Sequence, residues 1–531
     1  MRKLPIGIQT FSEIQEKNYI YVDKTKYIHK LATEGKTYFL SRPSKFGKSI
    51  LITAIKELFE GNEKLFEGLY IHGNWDWNEK YPVILLDFGS RTSKSPEKLE
   101  LSLNKFLNDT ATENNLELED IGLLADKFEE LIKRLHNKTG KKVVVLVDGY
   151  DMPITDSLNL EIAKKNHDIL KEFYQVLKAN DKYLKFVFLT GESKFSKASV
   201  FSGLNNIDDI TVDSNFSTIC GYTQEELENY FRDYISEFAK DNDISSEDLL
   251  YHIEEWYNGY SWDGENHLYN PYSIISLFKK GVFRNYWFET HNPSFFMNYI
   301  RISTVEEVDV LFKSDNRISG DFPSFNLENN DFSTVLLQLG YLTIKSANII
   351  VGEFPSYELA IPNKEVNVSI FTSIIREFSN QDSNSITALA KKILKAITTQ
   401  DNELLQNAFD TLVAAIPAVQ YAKIKKDIRE ANYYVLFLSW LKLMGFSALG
   451  EVPSSKKTPD ILLKKDNLIL ICEIKYDENK DLNDLAMEAI NQIKDLEYYK
   501  PYLDHEVILL GVAFGDHEVK SRIEALKHSI S

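Results

Sequence analysis

The segment FLSRPSKFGKSIL, residues 39–51, places an apolar strand end before a Gly-Lys-Ser triplet at 47–49 and a helical pattern after it. A phosphate-binding loop needs this order. Its backbone N–H groups wrap a phosphate, a lysine reaches the β- and γ-phosphate oxygens, and a hydroxyl binds Mg²⁺ at the start of a helix. The glycine expected five residues before the triplet is replaced by Arg42. The segment predicts a site for ATP and Mg²⁺ in which Lys48 and Ser49 hold phosphate and metal.

Four β-rich runs alternate with helical stretches between residue 1 and about residue 220. They are TYFL (37–40), VILLDF (83–88), VVVLVD (143–148) and FVFLT (186–190). Strands joined by long helical connections predict an α/β domain built on a parallel sheet. Such sheets bind their ligands at the carboxyl ends of the strands.

Two residues at these strand ends are candidates for the same pocket. Asp148 ends the run VVVLVD, and its carboxylate is predicted to lie in the outer coordination shell of the metal. Thr190 ends the run FVFLT, and its hydroxyl suits a hydrogen bond to the γ-phosphate. A turn-forming threonine before Gly191 explains Thr190 equally well.

Length and charge limit the class of protein. With 531 residues the chain is too long for one core and fits about two to four domains. Its net charge of −18 argues against non-specific coating of nucleic acid, so a nucleic-acid partner must meet a local basic patch. The apolar runs fall far short of the roughly 20 residues of a membrane helix, and the N-terminus lacks an apolar signal segment. We therefore expect a cytoplasmic protein without a membrane partner.

The rest of the chain changes character twice. From residue 222 to about residue 425 the pattern is mostly helical, which predicts a lid and a connecting region. An amphipathic helix, three candidate strands, a helix and a final strand then predict an αβββαβ unit. The predicted domains are a P-loop domain at 1–221, a helical lid and connecting region at 222–425, and the αβββαβ domain at 426–531.

The segment TPDILLKKDNLILICEIK, residues 458–475, carries a second group of candidate residues. Asp460 begins one strand, and Glu473 and Lys475 lie two residues apart on the next, so their side chains share one face. A turn at KKDN permits an antiparallel hairpin that brings the two carboxylates together. Carboxylates that hold Mg²⁺ beside a charged donor are what metal-dependent hydrolysis of a phosphodiester needs.

Taken together, these motifs resemble a known family, the predicted AAA-ATPase-like proteins of bacteria that carry a C-terminal nuclease domain of the PD-(D/E)XK superfamily. The resemblance covers nearly the whole chain. It is carried by PIGIQTFSEIQEKNYIYVDKT (5–25), SRPSKFGKS (41–49), VDGYDMPI (147–154), LTGESKFSKASVFSGLNNIDDIT (189–211), WYNGYSWDG (256–264) and the C-terminal unit.

The resemblance implies an ATP site whose loop opens with Arg-Pro in place of a glycine, which accounts for Arg42. The implied nucleotide-binding residues are Arg42, Pro43, Phe46, Gly47, Lys48, Ser49, Asp148, Thr190 and Glu192. Of these, Ser49 and Asp148 serve the Mg²⁺ ion.

Two departures from the family concern hydrolysis. Such proteins usually have an acidic residue directly after the strand-end aspartate, where it would polarise the attacking water, and here that position is Gly149. Glu192 stands where a small apolar residue is more usual. One hypothesis is that its carboxylate reaches the γ-phosphate from the neighbouring strand; the alternative is a solvated turn residue. Asp151 is a second candidate replacement, or else a helix cap.

In the C-terminal unit, Pro459-Asp460 and Glu473-Ile474-Lys475 match the superfamily pattern. The resemblance implies catalytic roles for Asp460, Glu473, Lys475 and Gln492. It also implies metal ligation by Asp460, Glu473 and Glu430, with Glu451 as an alternative to Glu430. A role as an exposed surface residue explains Glu430 and Gln492 equally well.

The sequence thus predicts an AAA-like ATPase coupled to a Mg²⁺-dependent nuclease, with ATP, Mg²⁺ and nucleic acid, DNA rather than RNA, as its partners. Assembly into a homo-oligomer and a setting in bacterial genome defence follow only by analogy. The rival interpretation is a nucleotide-sensing switch or scaffold protein with a degenerate ATPase site that does not hydrolyse ATP.

Overall fold

A computed structural model of the chain divides into two compact units. The first comprises Met1–Trp287 and Ile318–Glu358, and the second comprises Phe288–Arg317 and Leu359–Ser531. The residues described are 1–89, 95–119, 122–155, 160–194, 204, 206–289, 311, 316–320, 332–379, 381–414, 426–448, 459–477, 480–515 and 518–526.

The first unit is built on a five-stranded sheet. Its strands are β1 Thr37–Ser41, β2 Val83–Asp87, β3 Val143–Asp148, β4 Leu184–Gly191 and β5 Asp208–Asp209. The spatial order is β2-β3-β4-β1-β5, and every neighbouring pair is parallel. The predicted parallel α/β fold is confirmed.

Helices cover both faces of this sheet. They are α1 Phe11–Glu16, α2 Thr25–Glu34, α3 Lys48–Glu60, α4 Pro96–Glu113, α5 Leu124–Thr139, α6 Met152–Thr155 and α7 Leu160–Ala179. Val143, Val145 and Val147 of β3 share one apolar core with α4, α5 and α7. Helix α3 packs against β2, β3 and β4. Because side chains alternate along a strand, the residues between those valines belong to the opposite face.

Beyond residue 221 the chain continues with helices and a small sheet, most of whose residues belong to the first unit. The helices are α8 Gln224–Tyr230, α9 Arg232–Asp241, α10 Ser246–Tyr257, α11 Pro271–Lys280, α12 Tyr286–Glu289 and α13 Phe332–Leu339. The strands are β6 Asn316–Ser319, β7 Thr343–Asn348 and β8 Ser356–Ala360, in the order β6-β8-β7. The mostly helical pattern gave no sign of this sheet, because TIKSAN in β7 is largely polar and half of its residues are exposed.

The second unit combines helices with a mixed sheet. Its helices are α14 Lys364–Ser379, α15 Ser383–Thr399, α16 Asn402–Ala414, α17 Lys426–Leu443 and α18 Leu482–Asp495. Its strands are β9 Ser447–Ala448, β10 Ile461–Lys465, β11 Leu468–Tyr476, β12 Glu506–Phe514 and β13 Val519–Ala525, in the order β13-β12-β11-β10-β9. Only β11 and β12 pair in parallel. The αβββαβ prediction is confirmed, with β13 added at the edge.

The predicted domain boundaries at 221 and 425 stay a prediction. Helix α16 belongs with the mixed sheet because its polar side chains bond to the edge strand β13. The Asn402 side chain accepts from the Ile523 N–H (2.9 Å), and the Gln406 side chain accepts from the Ser521 N–H (3.0 Å). These bonds cover part of an edge that would otherwise be exposed for pairing. Among the described residues, no helix has the length and apolar character needed to cross a membrane.

Candidate functional site

The loop between β1 and α3 has the backbone shape of an anion cradle. Lys45 and Gly47 have φ angles of 67° and 96°, in the left-handed region. Left-handed residues in a short loop turn successive N–H groups toward one concavity, which binds anions. A Cβ at Gly47 would meet nothing within 4 Å, so its backbone conformation is what favours glycine there. Helix α3 begins at the next residue and adds the positive end of its dipole.

The Lys48 side chain folds over this loop. Its Nζ donates hydrogen bonds to the carbonyl oxygens of Arg42 (2.8 Å) and Pro43 (2.9 Å). The ammonium group is therefore held at the loop, where it can exchange these carbonyls for phosphate oxygens. Ser49 is half-buried in the first turn of α3. Its role as a Mg²⁺ ligand stays a prediction.

The Arg42 side chain lies behind the loop. It is fully buried, and its Nη1 donates to the carbonyl oxygens of Ser41 and Thr211, both at 2.8 Å. The guanidinium also stacks over the Trp262 ring at 4.1 Å from the ring centroid, and burial lowers the pKa of Arg42 to about 10. Since the guanidinium is used for these contacts, a contact of Arg42 with nucleotide would come from its backbone.

Aromatic residues from the segment after α10 form a wall behind the loop. Phe46 is buried edge-on against Tyr260 and Trp262, with centroid distances of 4.8 and 5.1 Å. The Trp287 Nε1 donates to the Ser44 carbonyl oxygen at 3.2 Å. The shape of the loop is thus fixed by residues more than 200 positions away in the sequence, which is why this segment belongs to the first unit.

Asp148 and Thr190 meet at the carboxyl edge of the sheet. The Thr190 hydroxyl donates to the Asp148 carboxylate at 2.9 Å. This contact confirms that the strand before Glu192 lies beside the strand that ends in Asp148. Asp87, at the end of β2, pairs in register with Asp148 on the other side. Asp87 was not among the predicted site residues, although it is the last residue of an apolar strand run, as Asp148 is.

The chain turns sharply after Asp148. Gly149 has a φ of 68°, and a Cβ there would lie 2.6 Å from the Met152 sulfur. Asp151 then points inward and is fully buried. Its carboxylate accepts the backbone N–H groups of Glu192 (3.1 Å) and Ser193 (2.6 Å). It therefore ties the Gly149 turn to the end of β4.

Replacing Gly149 by Ala is expected to lower the free energy of unfolding by about 1–2 kcal/mol, the usual cost of a left-handed conformation for a residue with a Cβ. The measurement is chemical denaturation of parent and variant. Gly73→Ala is the control, because a Cβ at Gly73 meets nothing within 4 Å and its φ is not positive. Equal losses in the two variants would contradict a backbone requirement at Gly149.

Asp151 should make stability depend on pH. Burial, followed by repulsion from Glu192, raises the pKa of Asp151 from 3.8 to about 7. Between these values the folded protein keeps a proton that the unfolded chain releases, so this contribution to stability is full below about pH 4 and is lost as the pH rises through 7. Asp151→Asn should remove this pH dependence, which is on the order of a few kcal/mol in the free energy of unfolding.

The check on Asp151 is the thermal midpoint of the parent protein and Asp151→Asn at pH 5 and pH 8. The variant should gain relative to the parent at pH 8. Asp109→Asn, on an exposed part of α4, should follow the parent at both values. Parallel pH profiles of the parent and Asp151→Asn would show that Asp151 does not retain a proton on folding.

The second candidate site lies on the hairpin of β10 and β11. Ile461 pairs with Cys472, so Asp460 comes next to Glu473 across the hairpin. The Asp460 carboxylate accepts the Ile474 N–H at 2.8 Å. Glu473 is only 1% exposed, and its Oε1 has no hydrogen-bond partner within the described parts of the chain.

These two carboxylates are coupled. Burial and the neighbouring Asp460 raise the pKa of Glu473 to about 8, because two close carboxylates in an apolar setting resist losing both protons. A divalent cation would reverse this preference by supplying the missing positive charge. An unpaired buried carboxylate oxygen beside a second carboxylate is a donor set that fits Mg²⁺, which needs few protein ligands.

Lys475 and Gln492 complete this cluster. The Lys475 ammonium donates to the Gln492 side-chain oxygen, which joins β11 to α18. Tyr498 is buried nearby, and burial together with the charge of Glu473 raises its pKa. The structure thus brings together Asp460, Glu473, Lys475 and Gln492.

The fifth predicted metal or catalytic residue of this domain is not placed. Glu430 lies on α17, but its side chain is outside the described residues, as is the alternative Glu451. Within the described ranges no group of three or more His, Cys, Asp or Glu side chains is arranged to hold a metal ion. Asp460 and Glu473 are therefore the ligands on which the metal prediction depends.

Comparison with known proteins matches both candidate sites to families. The model of the predicted AAA-ATPase family matches residues 5–201, and the model of the PD-(D/E)XK nuclease superfamily matches residues 428–523. The phosphate loop lies inside the first match and the Asp460 hairpin inside the second.

Two individual proteins are also similar. An uncharacterized protein in the vnfD 5′ region of Azotobacter chroococcum mcd 1 is 36% identical over 528 residues, which cover 97% of this chain and 96% of the relative. The Aeropyrum pernix ORC1 protein, solved in complex with DNA, is 11% identical with a TM-score of 0.24, covering 65% of this chain and 91% of the other. That structural score is too low to support a functional conclusion.

Proposed function

Because the chain belongs to the family of predicted AAA-ATPases that carry a C-terminal domain of the PD-(D/E)XK nuclease superfamily, we propose that it is an ATP-binding, Mg²⁺-dependent nuclease. The observation that carries the proposal is the convergence of Asp460 and Glu473, with an unpaired buried carboxylate oxygen, beside the Lys475–Gln492 pair. A structural hairpin would gain nothing from burying Glu473 in this way, because a buried polar oxygen without a partner costs free energy.

In the proposed reaction each residue of the hairpin has a distinct task. Asp460 and Glu473 hold the metal, and the Ile474 N–H fixes the orientation of the Asp460 carboxylate. The Lys475 ammonium, positioned by Gln492, stabilises the negative charge that builds up on the scissile phosphate. Mg²⁺ bound there would supply Lewis-acid polarisation and a nucleophilic water.

In the other domain, the cradle at 42–47 and Lys48 bind the phosphates of ATP, and Ser49 and Asp148 serve its Mg²⁺. Thr190 orients Asp148 through its hydrogen bond, or contacts the γ-phosphate directly. Glu192 contributes to the same pocket. We further propose that ATP controls cleavage, that DNA is the preferred substrate, and that the protein acts in the cytoplasm as a homo-oligomer. These finer points rest on the resemblance to the family.

The rival function is a nucleotide-sensing switch that binds ATP without hydrolysing it. The observation in its favour is Gly149, whose left-handed backbone and closeness to the Met152 side chain disfavour the usual acidic residue. Under this alternative, ATP would still regulate the nuclease domain or a scaffold.

The test is a cleavage screen with Mg²⁺ and with Mn²⁺ over single-stranded DNA, duplex DNA, branched DNA and RNA, each with and without ATP. ATP turnover is measured on the same preparations. Cleavage with turnover supports the ATPase-nuclease, and cleavage without turnover supports the switch. A pure protein that cleaves none of these substrates with either metal would contradict the nuclease proposal.

A further inference from the structure

The turn at Gly149 leaves open which group accepts the proton of the water that attacks ATP. The residue after a strand-end aspartate is the usual place for that carboxylate in proteins this chain resembles. Here a side chain at position 149 would need a left-handed backbone and would overlap Met152. A hydrolytic carboxylate must therefore come from a neighbouring strand.

Strand β2 ends in a carboxylate, Asp87, that lies directly beside Asp148. Strands β2 and β3 pair in parallel without a register shift from Val83 to Asp87, and the last pair is Asp87 with Asp148. Paired residues on parallel strands project from the same face of a sheet, about 4.8 Å apart. Asp87 and Asp148 therefore stand side by side at the carboxyl edge.

The face from which they project is the one covered by the helix of the phosphate loop. In β2 the residues Ile84 and Leu86 enter the apolar core on the opposite face, whereas Val83, Leu85 and Asp87 alternate with them and are half-buried. Helix α3, which begins at Lys48, packs against β2, β3 and β4 on this side. Asp87 thus belongs to the same edge and face as the Asp148–Thr190 pair.

The orientation of the Asp87 carboxylate is fixed locally. Its Oδ1 accepts the backbone N–H of Gly89 at 2.8 Å. The Phe88 N–H donates to the Asp148 carbonyl oxygen at 3.1 Å, so the chain beyond β2 stays attached to the end of β3. Because a backbone N–H already holds this carboxylate in place, it loses little conformational entropy when it binds the attacking water.

The other two carboxylates at this edge are less suited. Asp151 is fully buried, and its oxygens accept the N–H groups of Glu192 and Ser193. Glu192 follows β4 beyond Gly191, and its charge acts on Asp151 and on buried Tyr341. Glu192 thus follows a strand that β3 separates from β2.

We propose that Asp87 is the general base of ATP hydrolysis in this protein, an inference that rests on the proposed nucleotide site. The Asp87 carboxylate takes one proton from a water molecule as the water oxygen forms a bond to the γ-phosphorus. The bond between that phosphorus and the bridging oxygen of ADP breaks, and ADP leaves with the electron pair. Asp148 and Thr190 keep their mutual hydrogen bond, and Asp87 returns its proton to solvent after phosphate departs.

The experiment measures ATP turnover and the affinity for a fluorescent ATP analogue with Mg²⁺ in the full-length protein. Loss of a general base lowers kcat by about 10²–10³-fold, and we expect that for Asp87→Asn, with the affinity within about threefold of the parent. Asp87→Glu keeps a carboxylate and should retain at least about a tenth of parental kcat. The surface control Asp109→Asn should stay within about threefold of the parent, and Glu192→Gln should lose less turnover than Asp87→Asn.

The outcomes separate this inference from the proposed function. Turnover by Asp87→Asn at the rate of Asp109→Asn, or loss of turnover in Glu192→Gln alone, overturns the role of Asp87 while the nucleotide site stands. A parent protein that binds the analogue without turnover overturns the inference in favour of the sensing switch. A parent protein that fails to bind the analogue overturns the proposed nucleotide site itself.

Discussion

Asp460→Asn is expected to abolish nucleic-acid cleavage, with a loss of at least about 10³-fold. A carboxylate that holds a catalytic metal contributes several kcal/mol to the transition state, and each 1.4 kcal/mol is tenfold in rate. Asp460 and Glu473 are the two carboxylates that meet across the hairpin, so the loss of either one should have a large effect on the rate of cleavage. The measurement is the initial rate of cleavage of the best substrate from the screen, at saturating Mg²⁺.

Two further variants make this result interpretable. Glu473→Gln should cause a similar loss, and it should also leave the fold intact, because Glu473 is already inclined to hold a proton when buried. Asp495→Asn, at the exposed end of α18, removes the same charge from the same domain and should cleave like the parent. Unchanged cleavage by Asp460→Asn would place the nuclease centre elsewhere or exclude one.

Lys48→Ala is expected to weaken nucleotide binding by on the order of 100-fold. The ammonium group already lies over the loop on two carbonyl oxygens, so it needs only a short movement to bond to phosphate. Hydrogen bonds to charged groups contribute about 1.5–3 kcal/mol each, and the methyl group of alanine replaces none of them.

Titration of the fluorescent ATP analogue gives the dissociation constant directly, and the shift of the thermal midpoint with ATP gives a second reading. Lys105→Ala, on the exposed face of α4, is the control. If Lys48→Ala binds as the parent does, the loop is an ordinary strand-to-helix turn. Cleavage by Lys48→Ala with and without ATP then shows whether nucleotide controls the nuclease domain.

Strand positions were predictable wherever apolar runs are bounded by polar turns. Strand β3 has the predicted limits 143–148, and β12 is the predicted final strand of the αβββαβ unit. The hairpin that joins Asp460 to Glu473 was predictable for a related reason, since the period of two and a short turn fix the register locally.

Other features depend on contacts between distant parts of the chain, and a single sequence does not show them. The direction of the Arg42 side chain is decided by Thr211 and Trp262, whereas its place among the nucleotide-binding residues was implied by the family resemblance. The place of Asp87 depends on the spatial order of the strands, which puts β2 beside β3. The small sheet of β6, β7 and β8 has too few apolar residues for its strands to stand out.

The Arg42–Trp262 stack has a thermodynamic consequence. Coupling free energies are reciprocal, so if the aromatic segment sets the shape of the loop, a ligand that selects that shape must in turn stabilise the segment. The buried guanidinium and Phe46, which both contact Trp262, would communicate this effect without any contact between the ligand and Trp262. The fluorescence of Trp262 and amide hydrogen exchange over residues 256–262 would then report whether a ligand occupies the loop, although these residues lie behind it.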